Sequence, residues 1–205
     1  MKVALSMRIT EAAGYVEPRD SISHDWLNRL REWDMVPYPV PNLLKDAASY
    51  IDGLAPDLLL MTGGDDLGAT PDRDRAETEL FDIALRRGIP VLGICRGLQF
   101  VNRHFGGTTV GIKGHVARPH RVSFAPCWQP LYGNEDTVNS YHNLAIAPDT
   151  VGQSLEVTAS DPAGFVEGVR HPDLPVAGIM WHPERAGAPS GDRALFDALI
   201  GTGTD

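Results

Sequence analysis

Two apolar runs joined by a long helical stretch set the strongest limit on what this chain can fold into. "DLLLMTGG" (57–64) reads as a buried strand that ends in a glycine turn. "RDRAETELFDIALRRG" (73–88) reads as a helix closed by Gly88. "IPVLGIC" (89–95) reads as the next strand. Upstream, "KVALS" reads as a first strand, and "SISHDWLNRLREW" as a helix with Trp26, Leu27, Leu30 and Trp33 on one side. "MVPYPVPN" is extended, because its prolines exclude a helix, and "LLKDAASYIDGL" is a short helix. Strand and helix therefore alternate, which argues for a parallel sheet with helices on both faces. Beyond residue 120 the character changes. "RVSFAP", "DTVNSYHN", "SLEVTAS", "GFVEGVR" and "VAGIMW" are short extended segments separated by turns. "GDRALFDALI" closes the chain as a helix with Leu195, Phe196, Leu199 and Ile200 on one face. The expected fold is α/β: a flavodoxin-like parallel sheet with helices on both faces, plus a small antiparallel addition in the second half. The 205 residues suffice for one such domain, 1–205, and are short for two.

Composition excludes some partners. The formal net charge is -9, with no basic run and no basic aromatic stripe, so nucleic acid is not an expected partner. No apolar stretch approaches the ~18 residues of a membrane span. "MKVALSMRIT" is too short for a signal peptide and reads as strand. The two cysteines, Cys95 and Cys127, give no support for an oxidising compartment, so the cytoplasm is the expected location. Cys127, in "APCWQP", has no reactive setting and reads as a structural thiol.

Cys95 has such a setting. It stands where the strand "VLGI" gives way to a helix bearing Leu98, Val101 and Phe105, between Gly93 and Gly97. G-x-C-x-G at a strand-to-helix corner is the arrangement of a nucleophile elbow. A thiol becomes a strong nucleophile as its thiolate, which a helix N-terminus and a histidine both favour. His182 follows "VAGIMW" and precedes Pro183 and Glu184, so a carboxylate two residues on can turn back to fix the ring. Cys95, His182 and Glu184 thus fill the roles of a nucleophilic triad. Acyl transfer also needs aimed N–H groups for the developing oxyanion. The expected donors are the backbone N–H of Arg96, after the nucleophile, and of Gly64, in the "TGGDD" turn. "GHVARPH" holds two histidines, but it reads as a solvated loop, and no metal site is expected.

"TGGDD", "GICRGLQFVNRHFGG", "VNSYHN" and "GIMWHPE" together resemble the class I glutamine amidotransferase superfamily, and within it the γ-glutamyl hydrolase branch, peptidase C26. The resemblance runs from about residue 1 to residue 185, with the motifs in the family's order. It implies Cys95 as nucleophile, His182 as base, Glu184 as the residue orienting it, and Gly64 and Arg96 as oxyanion donors. It places Gln99 near the γ-glutamyl substrate, and Ser140 and His142, of "NSYH", in the glutamyl pocket. Arg73, Asp74 and Glu77 fit an R-D-x-x-E pattern read as structural or as shaping the pocket mouth.

The activity implied is hydrolysis of a γ-glutamyl amide through a γ-glutamyl thioester, with no cofactor. The expected partner is a small-molecule γ-glutamyl substrate. A narrower likeness, in "RDSISHDW", "VPYPVP" and "GIMWHPER", points to small hydrolases that release a cytidine diphosphoramidate for surface polysaccharide. Arg96, Arg103, Lys113, Arg118 and Arg121 are the expected cations for that anionic leaving group. The alternatives are a γ-glutamyl-aminobutyrate-type hydrolase, a glutaminase subunit feeding ammonia to a separate synthase, and a non-catalytic binding domain. The chain has no P-loop and no room for its own synthase domain, and no triad residue is lost. A homo-oligomer is also compatible with the sequence.

Overall fold

The computed structural model describes residues 1–201; the last four residues of the expected single unit, 202–205, lie outside the described residues. The elements run, in chain order, β1 (Lys2–Ser6), β2 (Arg8–Glu11), β3 (Pro18–Ser21), α1 (His24–Glu32), β4 (Val36–Val40), α2 (Ala47–Leu54), β5 (Leu58–Met61), α3 (Pro71–Arg87), β6 (Val91–Ile94) and α4 (Arg96–His104). There follow β7 (Val110–Gly111), β8 (His120–Phe124), α5 (Gln129–Tyr132), β9 (Glu135–Val138), β10 (Leu144–Ala145), a 3-10 turn (Pro148–Thr150), β11 (Glu156–Ser160), β12 (Val166–Arg170), β13 (Val176–Ile179) and α6 (Asp192–Gly201).

One nine-stranded sheet, ordered β4-β1-β5-β6-β13-β12-β11-β8-β9, organises the molecule. The five strands from β4 to β13 are parallel, and the remaining four continue the sheet antiparallel. The parallel half with helices is the α/β architecture expected, and the antiparallel addition is these four strands plus the ribbons β2–β3 and β7–β10. Strands β5, β6 and β13 are buried along their whole length, which is why they read as unbroken apolar runs. Helices α3 and α4 are tied together by Glu77 and Arg96, and α1 meets α6 where Trp33 packs edge-on to Phe196 at 4.9 Å.

Local signals set the helix ends. Gly88, at φ 64°, stops α3 as expected. The first helix begins at His24 rather than Ser21, because Ser23 accepts from the Asp25 N–H as its cap and Ser21 belongs to β3. Helix α2 begins at Ala47, after Asp46 accepts from the Ser49 N–H at 2.9 Å. No helix among the described residues is long and apolar enough to cross a membrane.

Candidate active site

Every strand of the parallel half except edge strand β4 delivers a segment to one cavity at its carboxyl end, the place where such sheets gather ligands. Arg8 follows β1, Thr62–Asp65 follow β5, Cys95 follows β6, and His182 follows β13. Ser21–Ser23 and Trp26 close the near side, and Val116, Tyr141, Glu184 and Arg185 complete the lining. The cavity holds about 290 Å³.

Cys95 occupies the corner between β6 and α4 with φ 52° and ψ -101°. A non-glycine residue at positive φ is strained, and the surrounding packing holds it there. Both flanking glycines are required. A Cβ on Gly93 would lie 2.5 Å from the carbonyl of Gly97, and one on Gly97 would lie 2.2 Å from the Met61 oxygen. Helix α4 thus rides directly on strands β5 and β6, with Cys95 just before its first turn.

His182 Nδ1 lies 2.8 Å from Glu184 Oε1, as the spacing predicts. Its Nε2 makes no hydrogen bond to the described residues. Gly63 sits beneath the pair: a Cβ there would be 2.9 Å from His182 Cε1 and 3.6 Å from Cys95 Cβ. Burial pulls the imidazole pKa down, but the adjacent Cys95 and the Glu184 carboxylate more than reverse this and lift it to about 9. The His182 backbone is clamped by Asn139, whose Oδ1 accepts from the His182 N–H and whose Nδ2 donates to the His182 carbonyl, both at 2.9 Å. Sequence reasoning passed over Asn139, although it lies in the quoted "VNSYHN". Tyr141 meets the imidazole edge-on at 5.6 Å, and Arg185 stacks 4.2 Å over Tyr141.

The R-D-x-x-E residues form a buried ionic scaffold behind the site. Arg73 Nε donates to Glu77 at 2.9 Å, and its Nη2 donates to the carbonyls of Thr62, at 2.7 Å, and Gly63, at 3.2 Å. Arg96 pairs with Glu77 and Asp74. Gly64, at φ 146°, has room only for a hydrogen, since a Cβ would lie 2.3 Å from the Arg73 guanidinium. One network therefore fixes both the Gly63–Gly64 turn and the residue after Cys95.

The structure brings Cys95, His182, Glu184 and Gly64 together, with Arg96 at the adjoining helix start. It does not bring the other expected residues to the cavity wall. Gln99 is buried, reaches the Leu144 carbonyl at 3.4 Å, and faces a separate hollow with Arg103 and Thr108. Ser140 and His142 turn away on either side of Tyr141, which lines the cavity in their place. The expected cations are also elsewhere: Arg96 is committed to Glu77, and none of Arg103, Lys113, Arg118 and Arg121 lines the cavity. Arg8 and Arg185 do. The ribbon that supplies Arg8 is invisible in the sequence, because "RITE" and "PRDS" carry no apolar face. "GHVARPH" is the exposed loop expected, but its two histidines turn inward: His115 and His120 are half-buried, with ring centroids 4.5 Å apart. Cys127, expected as a structural thiol, is exposed; both cysteines are free.

The chain is similar to several known proteins. A crystal structure of a "putative GMP synthase" component from Thermoplasma acidophilum superposes with a TM-score of 0.75 at 26% identity, covering 99% of this chain and 94% of that one. The γ-glutamyl-CDP-amidate hydrolase of Campylobacter jejuni is 28% identical over 193 residues, 90% of each chain. A Mycobacterium tuberculosis protein named "putative glutamine amidotransferase Rv2859c" is 36% identical over 171 residues, 69% of this chain and 54% of that protein. The peptidase C26 family matches residues 20–184, a span that contains Cys95, His182 and Glu184. The chain therefore belongs to the peptidase C26 family, within the class I glutamine amidotransferase superfamily.

Proposed function

We propose that this C26 enzyme, a hydrolase of C–N amide bonds, cleaves a γ-glutamyl amide through a thioester on Cys95. The observation that carries the reading is the meeting of Cys95, His182 and Glu184 in one cavity, with Cys95 held at positive φ. The Cys95 thiolate attacks the γ-carbonyl carbon. The backbone N–H groups of Gly64 and Arg96 receive the charge on oxygen. As the C–N bond breaks, His182 gives its proton to the leaving nitrogen. His182 then takes a proton from water, which attacks the thioester; the C–S bond breaks, and glutamate and the thiolate are released. Glu184 holds the imidazole orientation throughout.

The leaving group is a nucleoside diphosphoramidate or a similar anionic amine. Two observations favour it. The Campylobacter jejuni relative matches along nine-tenths of both chains. Arg8 and Arg185 stand at the cavity wall, paired with Asp65 at 3.3 Å and Glu184 at 3.6 Å, where a phosphoryl group could share them. Action in the cytoplasm, in the making of surface polysaccharide, belongs to the same reading. The test is glutamate release by the purified chain from γ-glutamyl-CDP-amidate, γ-glutamyl aminobutyrate and glutamine, with Cys95→Ala as control. Fast, Cys95-dependent turnover of the CDP-amidate is expected. Preference for γ-glutamyl aminobutyrate would overturn the leaving group and keep the mechanism. Slow turnover of everything would favour a glutaminase component working with a separate synthase, which the name of the Thermoplasma relative also suggests. Activity surviving in Cys95→Ala would remove the nucleophile.

A further inference from the structure

Behind the cavity wall that carries Val116 and Tyr141, three histidines converge on one buried carboxylate. His115 lies in the loop after β7, His120 opens β8, His142 follows Tyr141, and Glu167 stands on β12. From sequence positions spread over some fifty residues, their donor atoms meet at short range. Glu167 Oε1 lies 3.3 Å from His120 Nε2, 3.5 Å from His142 Nε2 and 3.9 Å from His115 Nδ1. His115 Nδ1 lies 3.3 Å from His142 Nε2. Donor atoms of His115, His120 and Glu167 all fall within 4.8 Å of one another. We propose that His115, His120, His142 and Glu167 bind one divalent transition-metal ion of the zinc type.

Three arguments carry this. The first is spacing. Zinc bonds of roughly 2.0–2.1 Å in a tetrahedron set neighbouring donors about 3.3–3.4 Å apart. Four of the six donor pairs, at 3.3 to 3.9 Å, are already close to that shell.

The second is unmet bonding. Glu167 is 1% exposed, yet neither of its carboxylate oxygens accepts a hydrogen bond from the described residues. Both ring nitrogens of His120 are equally without a hydrogen bond among the described residues. The close partners of Glu167 are the three histidine nitrogens at 3.3 to 3.9 Å, and a cation at the centre would replace these long contacts with direct bonds.

The third is ring orientation. His142 Nδ1 lies 2.9 Å from the Leu144 carbonyl, which can only accept, so Nδ1 carries the hydrogen and Nε2 offers its lone pair to the cluster. His115 Nε2 lies 3.6 Å from Asp161 Oδ2, outside hydrogen-bond range, while Nδ1 faces the cluster. Histidines that bind metals are oriented from behind as His142 is. Imidazole with one carboxylate is a donor set for zinc rather than for calcium or magnesium, which prefer oxygen. The ion would fasten the loop carrying Val116 and the segment carrying Tyr141 to the main sheet, and so fix one wall of the active-site cavity.

The test uses untagged full-length protein in a Cys95→Ala background, so that the cavity thiol cannot bind the metal. After chelation and dialysis, Zn2+ is titrated calorimetrically and Co2+ is followed by its visible absorption. Expected are one equivalent of Zn2+ with micromolar or tighter Kd, a raised Tm, and a cobalt band with no thiolate charge transfer. His115→Ala and His120→Ala should each weaken binding at least about 10-fold. His115 is partly exposed, so its variant keeps the test open if Glu167→Gln does not fold. No saturable binding, or equal binding in both histidine variants, would overturn the site in favour of a cluster held by protons alone. Binding present in the parent but absent in Cys95→Ala would assign the metal to the thiol and also overturn it.

Discussion

His182 is held by groups on every side, and its chemistry follows from them. Its carboxylate partner comes from two residues along the chain, its backbone is clamped by Asn139, and its ring abuts Tyr141. With its pKa raised to about 9, it stays protonated through neutral pH. We expect kcat/KM to fall as pH rises through about 9. Glu184→Gln removes one of the causes that raise this pKa, so the falling limb should move to lower pH. The same variant should lower kcat by about 100-fold, the low end of what acid–base groups contribute, with little change in KM. A stopped-flow or steady-state pH profile of both enzymes checks this; an unmoved limb would mean that another group orients His182. The meeting of Cys95, His182 and Glu184 was legible in the sequence because each sits in a short local pattern: glycines around a cysteine, and a carboxylate two residues after a histidine. The positions of Gln99, Ser140 and His142, off the cavity wall, were not legible in the same way. The side on which Ser140, Tyr141 and His142 face depends on a single β-bridge between Tyr141 and Val116, which no local pattern reveals.

At the scale of elements, the seat of α4 on β5 and β6 is the joint that strains Cys95. Gly97→Ala would press a methyl group into the Met61 carbonyl. We expect a loss of about 1–3 kcal/mol, read as a fall in Tm of several degrees. Turnover should fall as well, because the helix cannot move away without carrying the Arg96 N–H with it. Thermal melts together with glutamate release test this; a variant with unchanged Tm and rate would show that the contact yields freely. The strands β1, β5, β6 and β13 could be read directly, because burial on both faces makes them continuous apolar runs. The β2–β3 ribbon could not, since most of its residues are exposed and polar. The antiparallel strands were found as segments, but their order in the sheet comes from pairings between distant segments.

For the whole molecule, two buried groups tilt stability with pH in one direction. Asp192, at the start of α6, accepts from Trp181 Nε1 and Tyr132 Oη at 2.9 Å each, and joins α5, α6 and the end of β13. Burial outweighs those hydrogen bonds and pushes its pKa to about 7, from an ordinary value of 3.8. The folded state therefore holds a proton that the unfolded chain releases, and this contribution is lost as pH rises from about 4 to about 7. The raised His182 pKa adds a contribution that is present below about 6.5 and lost as pH rises through about 9. We expect Asp192→Asn, which keeps an acceptor and cannot ionise, to gain Tm relative to the parent across pH 4.5 to 7.5. A difference in Tm that stays flat with pH would contradict this. The sheet order carries one more consequence, for the chain as it is made. Strand β13 sits between β6 and β12, so the parallel half ends at β6 until residues 176–179 have been synthesised. Throughout that interval a fully apolar strand offers its open edge to any other chain. Cys95 has been made by then, but His182 has not, so on the proposed mechanism hydrolysis cannot begin before the sheet is sealed.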